Sequence, residues 1–131
     1  KEKLEKIQQI LTELSIDSES GKLIVVEGKK DVETLRALGI LGPVIAVKTG
    51  GKTFSQALNE IEQIDSSEIV LLFDFDRRGK QATNYFKQNL EIAEMKPNLR
   101  FWNSIHALIG REIQCIESLT SYLQTLQQKT L

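Results

Sequence analysis

Apolar residues recur along the chain in two rhythms, and the alternation between them predicts the fold. Leu4, Ile7, Leu11 and Leu14 fall three or four positions apart with charged residues between them, which predicts an amphipathic helix. Ser15 to Gly21 is polar and reads as a loop. Leu23-Ile24-Val25-Val26 is then apolar at every position and mostly β-branched, the pattern of a central strand covered on both faces in a parallel sheet. Helical spacing returns at Val32, Leu35 and Leu38, with Asp31 as the expected cap and Gly39 as the stop. A second strand is expected at Val44-Ile45-Ala46-Val47, broken by Gly50-Gly51. Thr53 and Gln56 have the spacing of a capping box, opening a helix through Phe54, Ala57, Leu58, Ile61 and Ile64. Ile69 to Phe73 forms the third strand, and after Gly79 a helix carries Ala82, Tyr85, Phe86 and Leu90. Leu99 to Trp102 predicts a short fourth strand. One long last helix is expected from Ser104, with Ile105, Leu108, Ile109, Ile113, Ile116, Leu119, Leu123 and Leu126 inward. A helix followed by four strand-helix units predicts an α/β protein with about four mostly parallel strands and helices on both faces.

Composition narrows the function classes. The 131 residues suit one domain and strain to hold two. Seventeen Lys and Arg against eighteen Asp and Glu give a formal net charge of −1, so no global basic field attracts nucleic acid. Any phosphate-binding surface must be a local patch. A single cysteine, Cys115, excludes an intramolecular disulfide framework and a cysteine-rich zinc site, and a single histidine, His106, excludes a multi-histidine metal site within one chain. Apolar runs are short, and the opening Lys-Glu-Lys-Leu-Glu-Lys precedes no hydrophobic signal region. The expectation is a reduced, cytoplasmic protein with no membrane partner.

The chemistry concentrates where strands end. In open α/β sheets ligands bind beyond the carboxyl ends of the strands. The first strand runs into Glu27-Gly28-Lys29-Lys30-Asp31 and the third into Asp74-Phe75-Asp76-Arg77-Arg78-Gly79-Lys80. Alternation along a strand puts Asp74 and Asp76 on one side and Phe73 and Phe75 on the other. Two like charges so close favour a cation between them. Carboxylates without cysteine or histidine nearby suit Mg²⁺ or Mn²⁺ rather than zinc. Taken alone, the pair is equally consistent with a solvated strand end. Phosphatases of the haloacid-dehalogenase type also carry Asp-x-Asp, but on the first strand and followed by Thr or Val, where this chain has Arg77-Arg78-Gly79.

With Glu27 included, the pattern is specific. Ile24-Val25-Val26-Glu27-Gly28-Lys29-Lys30-Asp31, followed later by Leu72-Phe73-Asp74-Phe75-Asp76-Arg77-Arg78-Gly79, resembles the Toprim domain of topoisomerases, bacterial-type primases and several nucleases. The resemblance runs from Lys22 to Ile105 and is nearest to small Toprim proteins and the catalytic part of ribosomal-RNA maturation nucleases. It implies a Rossmann-like domain over residues 21–106, an N-terminal helix and loop over 1–20, and a C-terminal helix over 107–131 packed on the same domain. It implies that Glu27 acts as general acid or base and that Asp74 and Asp76, with Glu27, hold Mg²⁺ or Mn²⁺. It also implies that the first and third strands are neighbours. A further acidic motif often follows the fourth strand in such proteins; Glu112 and Glu117 are its candidate remnants, or belong to a solvated helix face.

Around these acids lie Lys29, Lys30, Arg77, Arg78 and Lys80, which either grip substrate phosphates or neutralise the acids in salt bridges. Lys48, Gly50, Gly51 and Lys52 form a glycine-flanked basic loop or a plain turn. Phe101 and Trp102 either stack on a base or pack in the core, Tyr85 and Tyr122 read as core, His106 sits beside the apolar stripe, and Cys115 reads as half-buried. Two functions follow from the resemblance. One is a metal-dependent nuclease acting on RNA in preference to DNA. The other is a non-catalytic nucleic-acid-binding module within a larger nucleoprotein complex. The apolar stripes of the first and last helices suit core packing or a homodimer.

Overall fold

The computed structural model describes residues 1–66 and 68–129, and the final two positions of the expected C-terminal helix segment lie outside them. Four strands, β1 (Leu23–Val26), β2 (Val44–Ala46), β3 (Glu68–Leu71) and β4 (Lys96–Asn98), form a sheet in the order β2-β1-β3-β4. Each pairing is parallel, with Ile24 opposite both Val44 and Val70. The class is as the apolar pattern predicts, and the adjacency of the first and third strands is as the Toprim resemblance implies. Six α-helices accompany them: α1 (Glu2–Glu19), α2 (Lys29–Ala37), α3 (Phe54–Glu62), α4 (Arg77–Ile92), α5 (Arg100–Ile109) and α6 (Leu119–Lys129).

Because successive strand residues point to opposite faces, two cores form. Ile24, Val26, Val70 and Leu72 pack with Leu4, Ile7, Leu11 and Leu14 of α1, Leu35 of α2, and apolar residues of α5 and α6. Leu23, Val25, Ile69 and Leu71 pack on the other side with Ala57 and Ile61 of α3 and Ala82, Phe86 and Leu90 of α4. β1 is fully buried along its length, as its unbroken apolar run requires.

Several boundaries differ from expectation, each for a tertiary reason. The polar stretch from Ser15 continues α1 to Glu19, because its hydroxyls find partners: Ser18 Oγ accepts the Gly42 N–H at 2.8 Å and is buried. The fourth strand is Lys96–Asn98, wholly before the Leu99–Trp102 stretch expected to form it. It is an edge strand, where Pro97 is tolerated, and Phe101, Ile105 and Ile109 are instead buried at helical spacing on α5. The expected single last helix is two. The Ile113 N–H still donates to Ile109 O at 3.1 Å, but past it the chain opens and bonds to the segment that follows β3: the Phe75 N–H donates to Gln114 O at 2.8 Å and the Ile116 N–H to Asp74 Oδ1 at 2.9 Å. A 3-10 turn at Ile116–Ser118 then leads into α6.

Candidate functional site

The site is built from the two chain segments that leave β1 and β3. Helix α2 starts immediately after Glu27, with Gly28 at its N-cap rather than Asp31. Asp31 sits one turn in, and its Oδ2 accepts the Gly28 N–H at 3.0 Å, fixing the path of the chain just past Glu27. Helix α4 begins at Arg77, before Gly79 rather than after it, because Asp76 caps it: Asp76 Oδ1 accepts the Gly79 N–H at 2.8 Å. A Cβ at Gly79 would lie under 3.0 Å from the backbone carbonyl oxygen, carbonyl carbon and Cα of Asp74. Glycine is what lets the first turn of α4 seat directly on the end of β3.

The strand does not continue through the acids. Leu72 N–H still donates to Val25 O at 2.9 Å, but Phe73 packs in the α3–α4 core and Phe75 in the opposite one. The alternation expected to set both phenylalanines on one side therefore ends at Asp74, where the Gln114–Ile116 segment takes over the pairing. Asp74 is only 9% exposed. Burial pushes its carboxyl up to about 6; the Ile116 N–H acts in the opposite direction, and the carboxylates of Asp31, Glu27 and Asp76 add to the rise. Asp31, 7% exposed, is raised by burial and then by Glu27 and Glu117, against the N–H groups of Gly28 and Glu27. Burial and the charges of Asp74 and Asp76 raise the Cys115 thiol. The carboxylates acting on Asp74 and Asp31 thus include Glu27, Asp76 and Glu117, and Glu27 and Asp74 follow the adjacent strands β1 and β3 at the carboxyl rim of the sheet.

The donor set is hard oxygen throughout, which suits Mg²⁺ or Mn²⁺. Asp74 and Asp76 each spend Oδ1 on a backbone N–H, while among the described residues no hydrogen bond takes either Oδ2. Among the described residues no three of His, Cys, Asp or Glu already converge as a closed ligand cluster. Mg²⁺ keeps several waters and takes one or two carboxylates plus substrate phosphates, and the Oδ2 atoms of Asp74 and Asp76 are the donors this chain would offer it.

The basic residues divide in two. Lys29, Lys30, Arg77, Arg78 and Lys80 are all exposed, lie on the first turns of α2 and α4, and enter no ion pair among the described residues. The salt bridges to Glu27, Asp31, Asp74 and Asp76 that the alternative reading gave these five do not form among the described residues, and the cations face solvent. Neutralisation falls instead to the basic loop. Lys48 Nζ is 3.2 Å from Glu27 Oε1, and its N–H donates to Glu27 O at 3.0 Å; Lys52 pairs with Glu60 at 2.6 Å. Sequence reasoning missed Lys48 as the partner of Glu27, although its place after the neighbouring strand was a usable signal. It counted Asp31 among the acids at these strand ends but missed the contact from Ile116, which no local pattern encodes.

The remaining candidates settle into structure. Glu112 pairs with Lys3 at 2.5 Å, away from the acids. Phe101 is buried beneath Arg100, whose guanidinium carbon lies 4.5 Å from the ring centroid. The Trp102 Nε1–H donates to Phe73 O at 2.9 Å, and the ring stacks on His106, which also packs on Phe75 at 5.2 Å. Tyr85 packs against Phe54 and Phe86.

Residues 21–99 match the Toprim domain, and the whole site except the Gln114–Glu117 segment lies inside that span. The UPF0292 protein of Methanosarcina acetivorans is 32% identical over 99% of this chain and 88% of the relative. The UPF0292 protein of Methanocaldococcus jannaschii is 35% identical over 93% of each. A solved structure of a protein from Aquifex aeolicus superimposes with a TM-score of 0.69 at 26% identity, covering 84% of this chain and 94% of that one. Matching motif order, the β1–β3 adjacency that brings those motifs together, and the span of the domain match agree: the chain belongs to the Toprim family.

Proposed function

We propose that the chain is a Mg²⁺-dependent (or Mn²⁺-dependent) enzyme acting on phosphodiester bonds of nucleic acid, a small nuclease with RNA preferred over DNA. The observation that supports this reading is that Glu27 and the Asp74–Asp76 segment follow the adjacent parallel strands β1 and β3, with Asp74 buried and acted on by the charges of Glu27 and Asp76. When bound, the metal neutralises charge developing on the scissile phosphate. Asp74 and Asp76 would hold it through the oxygens not committed to backbone N–H groups. Glu27 would move the proton of the attacking or leaving oxygen, with Lys48 keeping its carboxylate oriented in the resting state. Lys29, Lys30, Arg77, Arg78 and Lys80, uncommitted to protein acids, would contact flanking phosphates. The RNA preference rests on the motif likeness to ribosomal-RNA maturation nucleases.

One observation favours a second reading. The absence of a closed acid cluster among the described residues, with a net charge of −1, suits a module that docks nucleic acid through a metal inside a larger complex or a homodimer, without turnover. Incubating the protein with labelled RNAs and DNAs, with Mg²⁺, Mn²⁺ or chelator, separates the two. The first reading expects metal-dependent cleavage that Glu27→Gln lowers by about 100-fold or more, the range of general acid–base catalysis. Metal-dependent binding without cleavage would establish the second, and neither binding nor cleavage would remove both.

A further inference from the structure

The segment Gln114–Ile116 lies outside the matched Toprim span, yet it is bonded to the centre of the acid site. It makes two contacts, one to the backbone of Phe75 and one to the side chain of Asp74. Gln114 O accepts from the Phe75 N–H, Cys115 is extended at φ −123° and ψ 139°, and the Ile116 N–H donates to Asp74 Oδ1. The contact is anchored from below, because Ile113, Ile116 and Leu119 are buried in the core shared by α1, α2, α5 and α6. The 3-10 turn that follows Cys115 packs against α2, the helix whose start fixes the chain after Glu27. One short segment thus touches both halves of the site.

We propose that the Gln114–Ile116 segment is a positioning strap for the metal centre, with the Ile116 backbone N–H as its working group. This rests on the reading of Asp74 as a metal ligand. A carboxylate with one oxygen held by a fixed N–H has a set orientation and presents its other oxygen in one direction. Partners of that kind typically change metal affinity by 10- to 100-fold. Without the strap, Asp74 would be free to rotate, and the Phe75 N–H would lose its partner.

The backbone permits a direct test. Ile116 is the first residue of a 3-10 turn and follows an extended residue, both of which proline accepts. Ile116→Pro deletes the N–H, while Ile116→Ala makes a comparable loss of buried side chain and keeps it. Mn²⁺ binding to the free protein should weaken by about 10-fold in Ile116→Pro relative to Ile116→Ala. Equal affinities in two folded variants would overturn the proposal. If Ile116→Pro fails to fold, the amide signal of Ile116 in the wild-type protein decides. It should shift during a Mg²⁺ titration and stay still in Asp74→Asn; an Ile116 signal that is static while the protein saturates with metal would overturn the strap. Failure of the underlying reading looks different: Asp74→Asn would then bind Mn²⁺ as tightly as wild type.

Discussion

At Asp74, one carboxylate carries opposing demands, and two substitutions separate them. Its charge is unfavourable where it sits, chiefly because it is buried, while its Oδ1 satisfies a buried N–H of Ile116. A carboxyl raised from 3.8 to about 6 on folding is protonated more readily in the folded than in the unfolded protein. Its contribution to stability is therefore fully present below the unfolded value near 3.8 and is lost as pH rises through about 6. Asp74→Asn keeps the acceptor and removes the charge. At pH 7.5 without metal it should melt a few degrees above wild type, the effect of about 1 kcal/mol in a chain this size, and the advantage should vanish near pH 4. Asp74→Ala leaves the Ile116 N–H without a partner, a cost of about 1–3 kcal/mol, and should melt below Asp74→Asn at the same pH. Thermal melts across pH on the three proteins check both statements; an advantage for Asp74→Asn that persists at pH 4 would contradict the assigned cause. Gly79 gives the second test at this scale. Within an exposed helix, Gly→Ala gains up to about 1 kcal/mol. Here the added methyl would press on the Asp74 backbone, so Gly79→Ala should lose about 1–3 kcal/mol and weaken metal binding as well. A stabilised variant would mean that α4 does not seat on β3 as described.

At the scale of elements, the first turns of α2 and α4 present five uncommitted cations on the two flanks of the acids. If they grip phosphates, Lys30→Ala and Arg78→Ala should each weaken nucleic-acid binding and reduce the slope of log affinity against log salt by about 1. Binding measured from low to moderate salt reads this directly, and an unchanged slope in both would deny them phosphate contacts. This scale also shows what the sequence makes legible. β1 and β3 announce themselves because burial on both faces demands unbroken apolar runs, and the Thr53–Gln56 box appears as read, with Thr53 Oγ1 accepting the Gln56 N–H at 3.2 Å. The three acids are legible because strand ends fix their context. What escaped was governed by partners distant in sequence. Ser18 extends α1 because Gly42 is beside it. Ile113 and Ile116 keep an apolar spacing that suits a helix, yet the helix does not run between them, because the segment after β3 supplies Gln114 O and the Ile116 N–H with partners. Periodicity reports which residues are inside, not which backbone partners they find there.

For the molecule as a whole, the net charge of −1 hides a local separation, with acids following β1 and β3 and five exposed cations on the first turns of α2 and α4 that enter no ion pair among the described residues. No helix among the described residues is long and apolar enough to cross a membrane. Such a site couples ligand to stability, since a metal that binds only the folded state stabilises it by mass action. At a metal concentration near the dissociation constant the gain is a few tenths of a kcal/mol, and at a hundredfold excess about 2.7 kcal/mol. The open arrangement of Asp74 and Asp76, each with one oxygen already committed, predicts the weak regime for Mg²⁺ alone. Substrate phosphates would complete the coordination shell and add contacts to the five cations. The melting temperature should therefore rise only slightly with millimolar Mg²⁺, clearly more with Mg²⁺ and an oligonucleotide together, and less than their joint effect with oligonucleotide and chelator. Asp76→Asn should abolish the Mg²⁺ response. An Asp76→Asn protein that keeps the full shift would move the metal away from this carboxylate pair, leaving the Toprim fold in place without the site proposed for it.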